Sequence, residues 1–385
     1  MKILQTVHNL GTKSGGLASS VYNIVEALSF VGVDVTLAAL SPAKGDKICG
    51  QSKEWLRILE NDSRFGTLAY SKNFKHFLDE TDFDIYHSNG NWGLHNYYTV
   101  KTAKRRGKPY IISTHGNFFP QALSISSWKK RIAEILWVDK DLNSANAICA
   151  TSKQEMQYLR EYGIKSPIAV VPNVILVPDF IYDIKKIQHS VGKYKFGFLG
   201  RLHPIKNLEE IIEAWAQSNA AYSASSLHIF GTGEKGYEEH LRELCKQLNL
   251  SNVCFEGWID GRDKFEALAN MTMILSPSKQ ENFGMTIAES LLVGTPVMAS
   301  LNTPWEEIEK YNCGWWRPDS VEEITRTINE ALSLSNNELI EMGKRGQKLI
   351  FESYSTEVVG EMMFQLYSWV LNPDLFPKPQ FVYEI

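Results

Sequence analysis

Short apolar runs alternate with stretches of helical period along the first half of the chain. KILQTVH (2–8), DVTLAAL (34–40), DIYHSNG (84–90), PYIISTH (109–115), AICATS (147–152) and IAVVPN (168–173) read as strands. Each is a brief apolar or β-branched run bounded by turn residues. Between them, LASSVYNIVEALSFVG (17–32) and WKKRIAEILWVDKDL (128–142) carry apolar residues at helical spacing. Residues 41–83 are less regular, and the pattern predicts one strand near Thr67–Tyr70 with flanking helices. Repeated strand–helix order implies a mostly parallel sheet covered on both faces.

The alternation restarts after a nondescript stretch, VILVPDFIYDIKKIQHSVG (174–192). KFGFLGR (195–201), SLHIFG (226–231), VCFEGW (253–258), MILSPS (273–278) and PVMAS (296–300) read as strands, with NLEEIIEAWAQ (207–217) among the helices. The reading is two doubly wound α/β domains, residues 1–178 and 190–355, with a linker near 174–193. A last helical pattern, TEVVGEMMFQLYSWVL (356–371), precedes a proline-bearing tail that reads as extended. Open parallel sheets bind ligands outside the carboxyl ends of their strands. Two such sheets facing each other would make a cleft, and the chemistry is expected there.

Composition adds limits. With 385 residues, 44% apolar and 22% charged, the chain is ordinary for a globular protein of two or three domains. The five cysteines show no C-x-x-C, which suits a reducing cytoplasm better than a disulfide framework. MKILQTVHNL reads as a first strand rather than a signal peptide, and no apolar run is long enough to span a membrane. The net charge of −4 conceals a basic residue balance up to position 178 and an acidic one beyond it. A basic first half could face anionic phosphates or an anionic membrane surface.

The candidate chemistry gathers after strand ends. In SPSKQENFGMTIAESLLVGTPVMAS (276–300), Glu281 precedes a helix start near Gly284, and Glu289 lies one to two turns inside that helix. First-turn N–H groups lack intrahelical partners and favour an anion such as phosphate. Carboxylates are acceptor-only groups suited to gripping vicinal hydroxyls. The combination fits a nucleotide sugar. GRLHPIK places Arg201 and Lys206 on one loop, where two cations could clamp a diphosphate and stabilise it as a leaving group. GTKSGG brings Gly15 and Gly16 between the first strand and first helix, and FGTGE supplies Gly231, Thr232 and Gly233. Neither is a Walker loop or a G-x-G-x-x-G fingerprint. His8 and His115 each end a predicted strand.

These residues resemble a retaining glycosyltransferase of family 4 with the GT-B fold, of the bacterial surface-polysaccharide type. The resemblance runs through Gly15-Gly16, STHGNF (113–118), GRLHPIK (200–206), GTGE (231–234), SPSKQENFGMTIAE (276–289), GTPVMAS (294–300) and NCGWW (312–316). It implies Arg201 and Lys206 on the donor diphosphate, Glu281 and His115 near the donor sugar, and Glu289 on the ribose. It also implies backbone amides of Phe283, Gly284 and Met285 near sugar or phosphate, and a last helix (within 356–385) that completes the N-terminal, acceptor-binding domain. The second domain would bind the nucleotide sugar.

The function expected is transfer of a hexose or N-acetylhexosamine from a nucleotide-diphosphate sugar to a glycan or lipid-linked acceptor, with UDP preferred over GDP. Other readings are a nucleotide-sugar epimerase, another GT-B enzyme, or a non-catalytic sugar-binding protein. Asp82-Phe-Asp84 has the D-x-D pattern of metal-binding transferases, but it leads into a strand at its amino end. No metal and no other cofactor is therefore expected. Lys129, Lys130 and Arg131 among aromatics, and five cations in KTAKRRGKPY (101–110), suit a lipid-linked acceptor or a peripheral contact at the inner face of the cell membrane. Nucleic-acid binding is not expected, because no recognised motif accompanies the basic residues.

Overall fold

The computed structural model describes residues 1–12, 16–62, 71–124, 131, 133–186 and 193–385. The chain divides into two compact units, Met1–Leu176 with Tyr354–Ile385, and Val177–Ser353. Each is built on its own sheet.

The first unit has strands β1 (Lys2–Asn9), β2 (Asp34–Leu40), β3 (Leu56–Leu59), β4 (Ile85–Asn89), β5 (Tyr110–Ser113), β6 (Ala147–Ala150) and β7 (Ile168–Val170). The chain's last strand, β14 (Val382–Tyr383), joins them, in the order β14-β7-β6-β5-β4-β1-β2-β3. All the pairings are parallel except β14 on β7. Parallel neighbours require crossovers, so helices cover both faces. On one face the helix Gly16–Phe30 packs with the C-terminal helix Thr356–Leu371, whose Val359, Met363, Leu366 and Tyr367 enter the same core as Ile3, Val7 and Ile111. Ser355 caps that last helix by accepting from the N–H of Val358. On the other face lie the helices Lys72–Glu80 and Leu94–Arg106, over Leu4, Tyr86 and Ile148.

Several elements depart from the pattern-based reading. The strand expected near 67–70 falls outside the described residues, and β3 forms earlier, at Leu56–Leu59. The helix expected over 128–142 is described as a π-helical turn at Glu134–Val138 and a short helix at Asp139–Asn143. The proline-bearing tail ends in a paired strand rather than a free extension.

The second unit has β8 (Lys195–Leu199), β9 (Ser226–Phe230), β10 (Val253–Gly257), β11 (Met273–Ser276), β12 (Val297–Ser300) and β13 (Gly314–Arg317), all parallel in the order β10-β9-β8-β11-β12-β13. β13 lies inside the NCGWW motif, and the apolar-run reading missed it because Trp315 and Trp316 are only a short segment. Residues Val177 onward, read as linker, belong to this unit. Lys186 is half-buried there, its ammonium donating to the carbonyl of Met271 and to Thr295 Oγ1 at 2.7 Å, and desolvation of that group lowers its pKa to about 7. The helix Met285–Leu292 packs under the helix Asn336–Ser353 with no room to spare. A Cβ on Gly343 would lie 2.0 Å from the carbonyl oxygen of Gly294.

Alanine at 343 gains about 1 kcal/mol of helix propensity, but the clash is with backbone, which cannot rotate away. Gly343→Ala is expected to destabilise the protein by roughly 1–3 kcal/mol, read as a lower midpoint in urea unfolding. An unchanged or higher midpoint would show that the two segments can separate freely.

Candidate functional site

In the second unit the candidate residues sit on loops at the carboxyl ends of β8, β9 and β11. The loop after β8 and the loop after β9 lie backbone against backbone. The N–H of Gly200 donates to Phe230 O and that of Leu202 to Thr232 O, both at 3.0 Å. A Cβ on Gly231 (φ 130°) would stand 1.8 Å from Gly200 O, and one on Gly233 2.2 Å from Leu202 O. These two glycines are thus required by loop-on-loop packing, whatever else they contact. The loop after β11 is tied in by the N–H of Lys279, which donates to Ile205 O at 2.8 Å.

Lys206 and Glu281, assigned to diphosphate and sugar, form an ion pair with side chains about one-fifth exposed. Gly284 (φ 85°) then opens the helix Met285–Leu292, and Trp305 Nε1 donates to the carbonyl of Phe283 and packs on its ring. The first N–H groups of that helix, from Met285 onward, have no partner within it. Glu289, one turn in, is paired with Lys264 at 2.6 Å. Lys264 escaped the sequence reading, since a lysine on the helix Gly261–Ala269 carries no motif of its own. Arg201 is exposed and, among the described residues, makes no ion pair. Its loop partner Lys206 is neutralised, so the two cations of this motif are not equivalent.

In the first unit, His115 follows β5 in left-handed backbone geometry (φ 49°), and Gly116 repeats it (φ 76°). Such consecutive positive φ values persist only where the surroundings fix them. The fixing group is Glu155, whose fully buried carboxylate accepts from Thr114 Oγ1, the N–H of Gly116, and both the N–H and Oγ1 of Thr151. It went unseen in the sequence because a lone glutamate on the helix Lys153–Tyr162 looks like any solvated one.

A second network fixes the ring. Asn89 Nδ2 donates to Gln5 Oε1 at 2.5 Å and to Thr6 O at 3.1 Å, so its Oδ1 faces His115 Nε2 at 2.8 Å. His115 Nε2 must then carry the hydrogen, leaving Nδ1 an acceptor in the neutral ring. Behind Asn89, Gln5 Nε2 donates to Tyr367 Oη at 2.7 Å, Tyr367 donates to His87 Nδ1 at 2.8 Å, and His87 Nε2 donates to Ser113 Oγ at 2.7 Å. Burial lowers the pKa of His115 to about 4 and, with His115 nearby, that of His87 to about 3. Both are neutral near pH 7. The cavity that Gln5, His87, Asn89 and His115 line holds about 30 Å³, too small for a sugar ring. His8, ending β1, stacks on His95 at 5.6 Å. His95 is buried, both its ring nitrogens lack hydrogen-bond partners among the described residues, and burial lowers its pKa to about 3.

Other expectations meet different outcomes. Gly15 lies outside the described residues, as do Lys129 and Lys130; Gly16 begins the first helix and is exposed. Thr232 is exposed. Asp82 and Asp84 stand at the amino end of β4, where Asp82 faces Arg106 and Lys108 and Asp84 accepts from the N–H of Lys2 at 2.7 Å. That is the wrong end of a parallel strand for a ligand. The basic run 101–108 is mostly neutralised within the unit: Lys104 pairs with Asp141, Arg105 with Asp79, and Arg106 and Lys108 with Asp82. No described helix is long and apolar enough to cross a membrane.

The buried histidines set a pH dependence. Their folded pKa values lie below the ordinary 6.5, so the unfolded chain binds more protons between about pH 6.5 and 4. Stability present above pH 6.5 should fall as the pH drops, by about 1.4 kcal/mol per unit for each such group. In His95→Leu the dependence of unfolding free energy on pH should flatten by that amount. Parallel pH curves for wild type and variant would mean that His95 is not held neutral.

Sequence comparison places these features in a family. The description "Glycosyltransferase Family 4" matches residues 14–175, and "Glycosyl transferases group 1" matches residues 180–349. The O-antigen chain mannosyltransferase C of Escherichia coli is 22% identical over 380 residues, covering 93% of this chain and 95% of its own. Among solved structures, sucrose-phosphate synthase from Thermosynechococcus elongatus superposes with a TM-score of 0.76 at 18% identity, over 97% of this chain and all of its own. Anabaena HepE in complex with UDP-glucose gives a TM-score of 0.70 at 19% identity, over 96% of this chain and all of its own. Two parallel α/β units, matched in turn by the two halves of this family and superposable on its solved folds, make the chain a member of the GT-B glycosyltransferases of the family 4 type.

Proposed function

We propose that this glycosyltransferase moves a hexose or N-acetylhexosamine from a UDP-sugar to a glycan or lipid-linked acceptor in the synthesis of a bacterial surface polysaccharide, with retention of anomeric configuration and without a metal. The observation that carries the reading is the Lys206–Glu281 pair and Glu289 around the start of the helix Met285–Leu292, with exposed Arg201 on the same loop as Lys206. Together they supply cations for a diphosphate, helix-end amides for an anion and carboxylates for hydroxyls. Support for UDP is the HepE complex with UDP-glucose on the same fold. Support for a polysaccharide product is the O-antigen chain mannosyltransferase among the relatives. The carboxylates of Asp82 and Asp84 are engaged by cations at the amino end of β4, which favours charge neutralisation by Arg201, Lys206 and the helix end over metal binding.

In this mechanism the anomeric carbon–diphosphate bond breaks as the acceptor oxygen bonds to the same face of the sugar. The acceptor's proton passes to the leaving diphosphate. Arg201 and Lys206 stabilise the charge that develops there. Neutral His115 accepts a sugar hydroxyl's hydrogen at Nδ1, and Glu281 grips another hydroxyl; both position the sugar without bonding covalently to it. Glu289 holds the ribose.

The test is a donor screen that reads nucleotide release with and without candidate acceptors, with a check for epimer formation when no acceptor is present. Turnover should require acceptor, survive EDTA, and yield an α-linked product from an α-linked donor by anomeric proton coupling. A β-linked product, or metal-restored activity after complete loss in EDTA, would contradict the mechanism.

Because Glu281 neutralises Lys206, the variants should separate. Arg201→Ala should weaken UDP binding in calorimetry by about 10- to 100-fold, the loss of one or two kcal/mol or more expected for a charge-assisted contact. Glu281→Gln should cut turnover at least about tenfold while UDP affinity holds or rises, the mark of an interaction made in the transition state. Equal losses of affinity and turnover in Glu281→Gln would remove Glu281 from the sugar.

A further inference from the structure

We propose that His228, Cys254 and Glu256 form a binding site for a single borderline divalent cation of the zinc type on the outer strands of the second unit's sheet. The site is independent of the glycosyl-transfer chemistry and uses none of its residues. Cys254 on the edge strand β10 is the register partner of His228 on β9, and Glu256, two residues beyond Cys254 where the register shifts, is brought to the same side by its 2.7 Å contact with His228. The intervening Leu227, Ile229, Val253 and Phe255 pack into the core instead. One nitrogen, one sulfur and one carboxylate oxygen therefore converge, all within 4.8 Å of one another.

The second contact of the histidine supports ligation. His228 Nδ1 faces Glu256 Oε1 at 2.7 Å, while Nε2 is held by Ser226 Oγ at 2.8 Å. A metal-bound histidine characteristically gives its far nitrogen to such a partner, which fixes the tautomer and ring plane. With Nε2–H donating to Ser226, the Nδ1 lone pair is free to ligate a cation that the Glu256 carboxylate also binds, once the 2.7 Å contact between them opens. In the metal-free chain the opposite tautomer satisfies both atoms, with Nδ1–H donating to Glu256. The site thus has a stable empty form and a distinct loaded one.

The donor set selects the ion. Magnesium and calcium prefer all-oxygen shells, whereas imidazole with thiolate suits zinc-type ions. Tetrahedral bonds of about 2.0–2.3 Å place ligand atoms about 3.3–3.7 Å apart, so His228 Nδ1 and Glu256 Oε1, at 2.7 Å, must open by about 0.6 Å while Cys254 Sγ, within 4.8 Å of both, closes on them. Glu256, with its side chain 38% exposed, has the freedom to move. Binding releases the Cys254 thiol proton to solvent. Thiolate and carboxylate then balance the two charges of the ion, with a fourth position left for water. The ion would join the edge strand to its neighbour, two residues before the strand end that leads into Gly231.

The test uses the full chain freed of metal by a chelator and titrated with cobalt(II). Wild type should develop a thiolate-to-cobalt absorption band with one equivalent per chain, and zinc should abolish it. Affinity should rise with pH, since a proton leaves. Cys254→Ser should lose the band, and His228→Gln should bind zinc at least about tenfold more weakly, with unfolding midpoints in chelator unchanged for both. No band in the wild type would overturn the proposal. So would equal zinc affinity in all three proteins, which would assign the metal to other side chains.

Discussion

Backbone polar groups at the carboxyl ends of parallel strands must be satisfied without closing the space a ligand needs, and both units are organised around that constraint. They meet it by different means. In the first unit, side chains do the work: the Glu155 carboxylate gathers the loop after β5 together with Thr151, and Asn89 and Gln5 bridge β4 and β1. In the second unit, backbone answers backbone, with the β8 and β9 loops joined through Gly200, Leu202 and Thr232. Side-chain anchoring leaves a histidine in fixed orientation. Backbone anchoring leaves loop surfaces free of bulk, and that suits close approach by phosphate.

Charge is arranged with the same economy. Glu281 and Glu289 are each matched by a lysine, Lys206 and Lys264, in settings only about 14–22% exposed. An unpaired charge so placed would cost several kcal/mol of lost hydration. Pairing holds both carboxylates in place before any ligand arrives. Any anion that binds Lys206 must compete with Glu281, whereas Arg201 makes no ion pair among the described residues. Preorganisation here resides in the pairs.

Much of this was legible in the sequence. The order of strands, the Arg201–Lys206 and Glu281–Glu289 spacings and the amphipathic 356–371 helix are local patterns, and local patterns survive in a one-dimensional reading. The residues that were missed act at long range. Glu155 is identified by four donors from three residues on two segments, and Lys264 by a carboxylate 25 positions away. β3 and β13 are four-residue strands that take their state from a paired neighbour rather than from their own composition. The basic run at 101–108 misled for the complementary reason: composition counts charges, and only packing reveals that aspartates from 79, 82 and 141 already meet them.

Tyr367 carries that argument furthest. It lies on the C-terminal helix, 362 positions from Gln5, yet its hydroxyl sits between Gln5 and His87 in the chain of hydrogen bonds that ends at His115. Each member is both donor and acceptor, so the direction of every bond is set by its neighbours. Removing the Tyr367 hydroxyl would leave Gln5 Nε2 and His87 Nδ1 with only their direct 3.2 Å contact, longer than either bond it replaces. Asn89 is held independently, since its Nδ2 also donates to the carbonyl of Thr6 at 3.1 Å, and it keeps its Oδ1 on His115. The return of the last helix to the first unit is therefore more than closure of a hydrophobic core. It supplies a hydroxyl to the buried hydrogen-bond network behind a candidate site residue, so that network is complete only when the whole unit is.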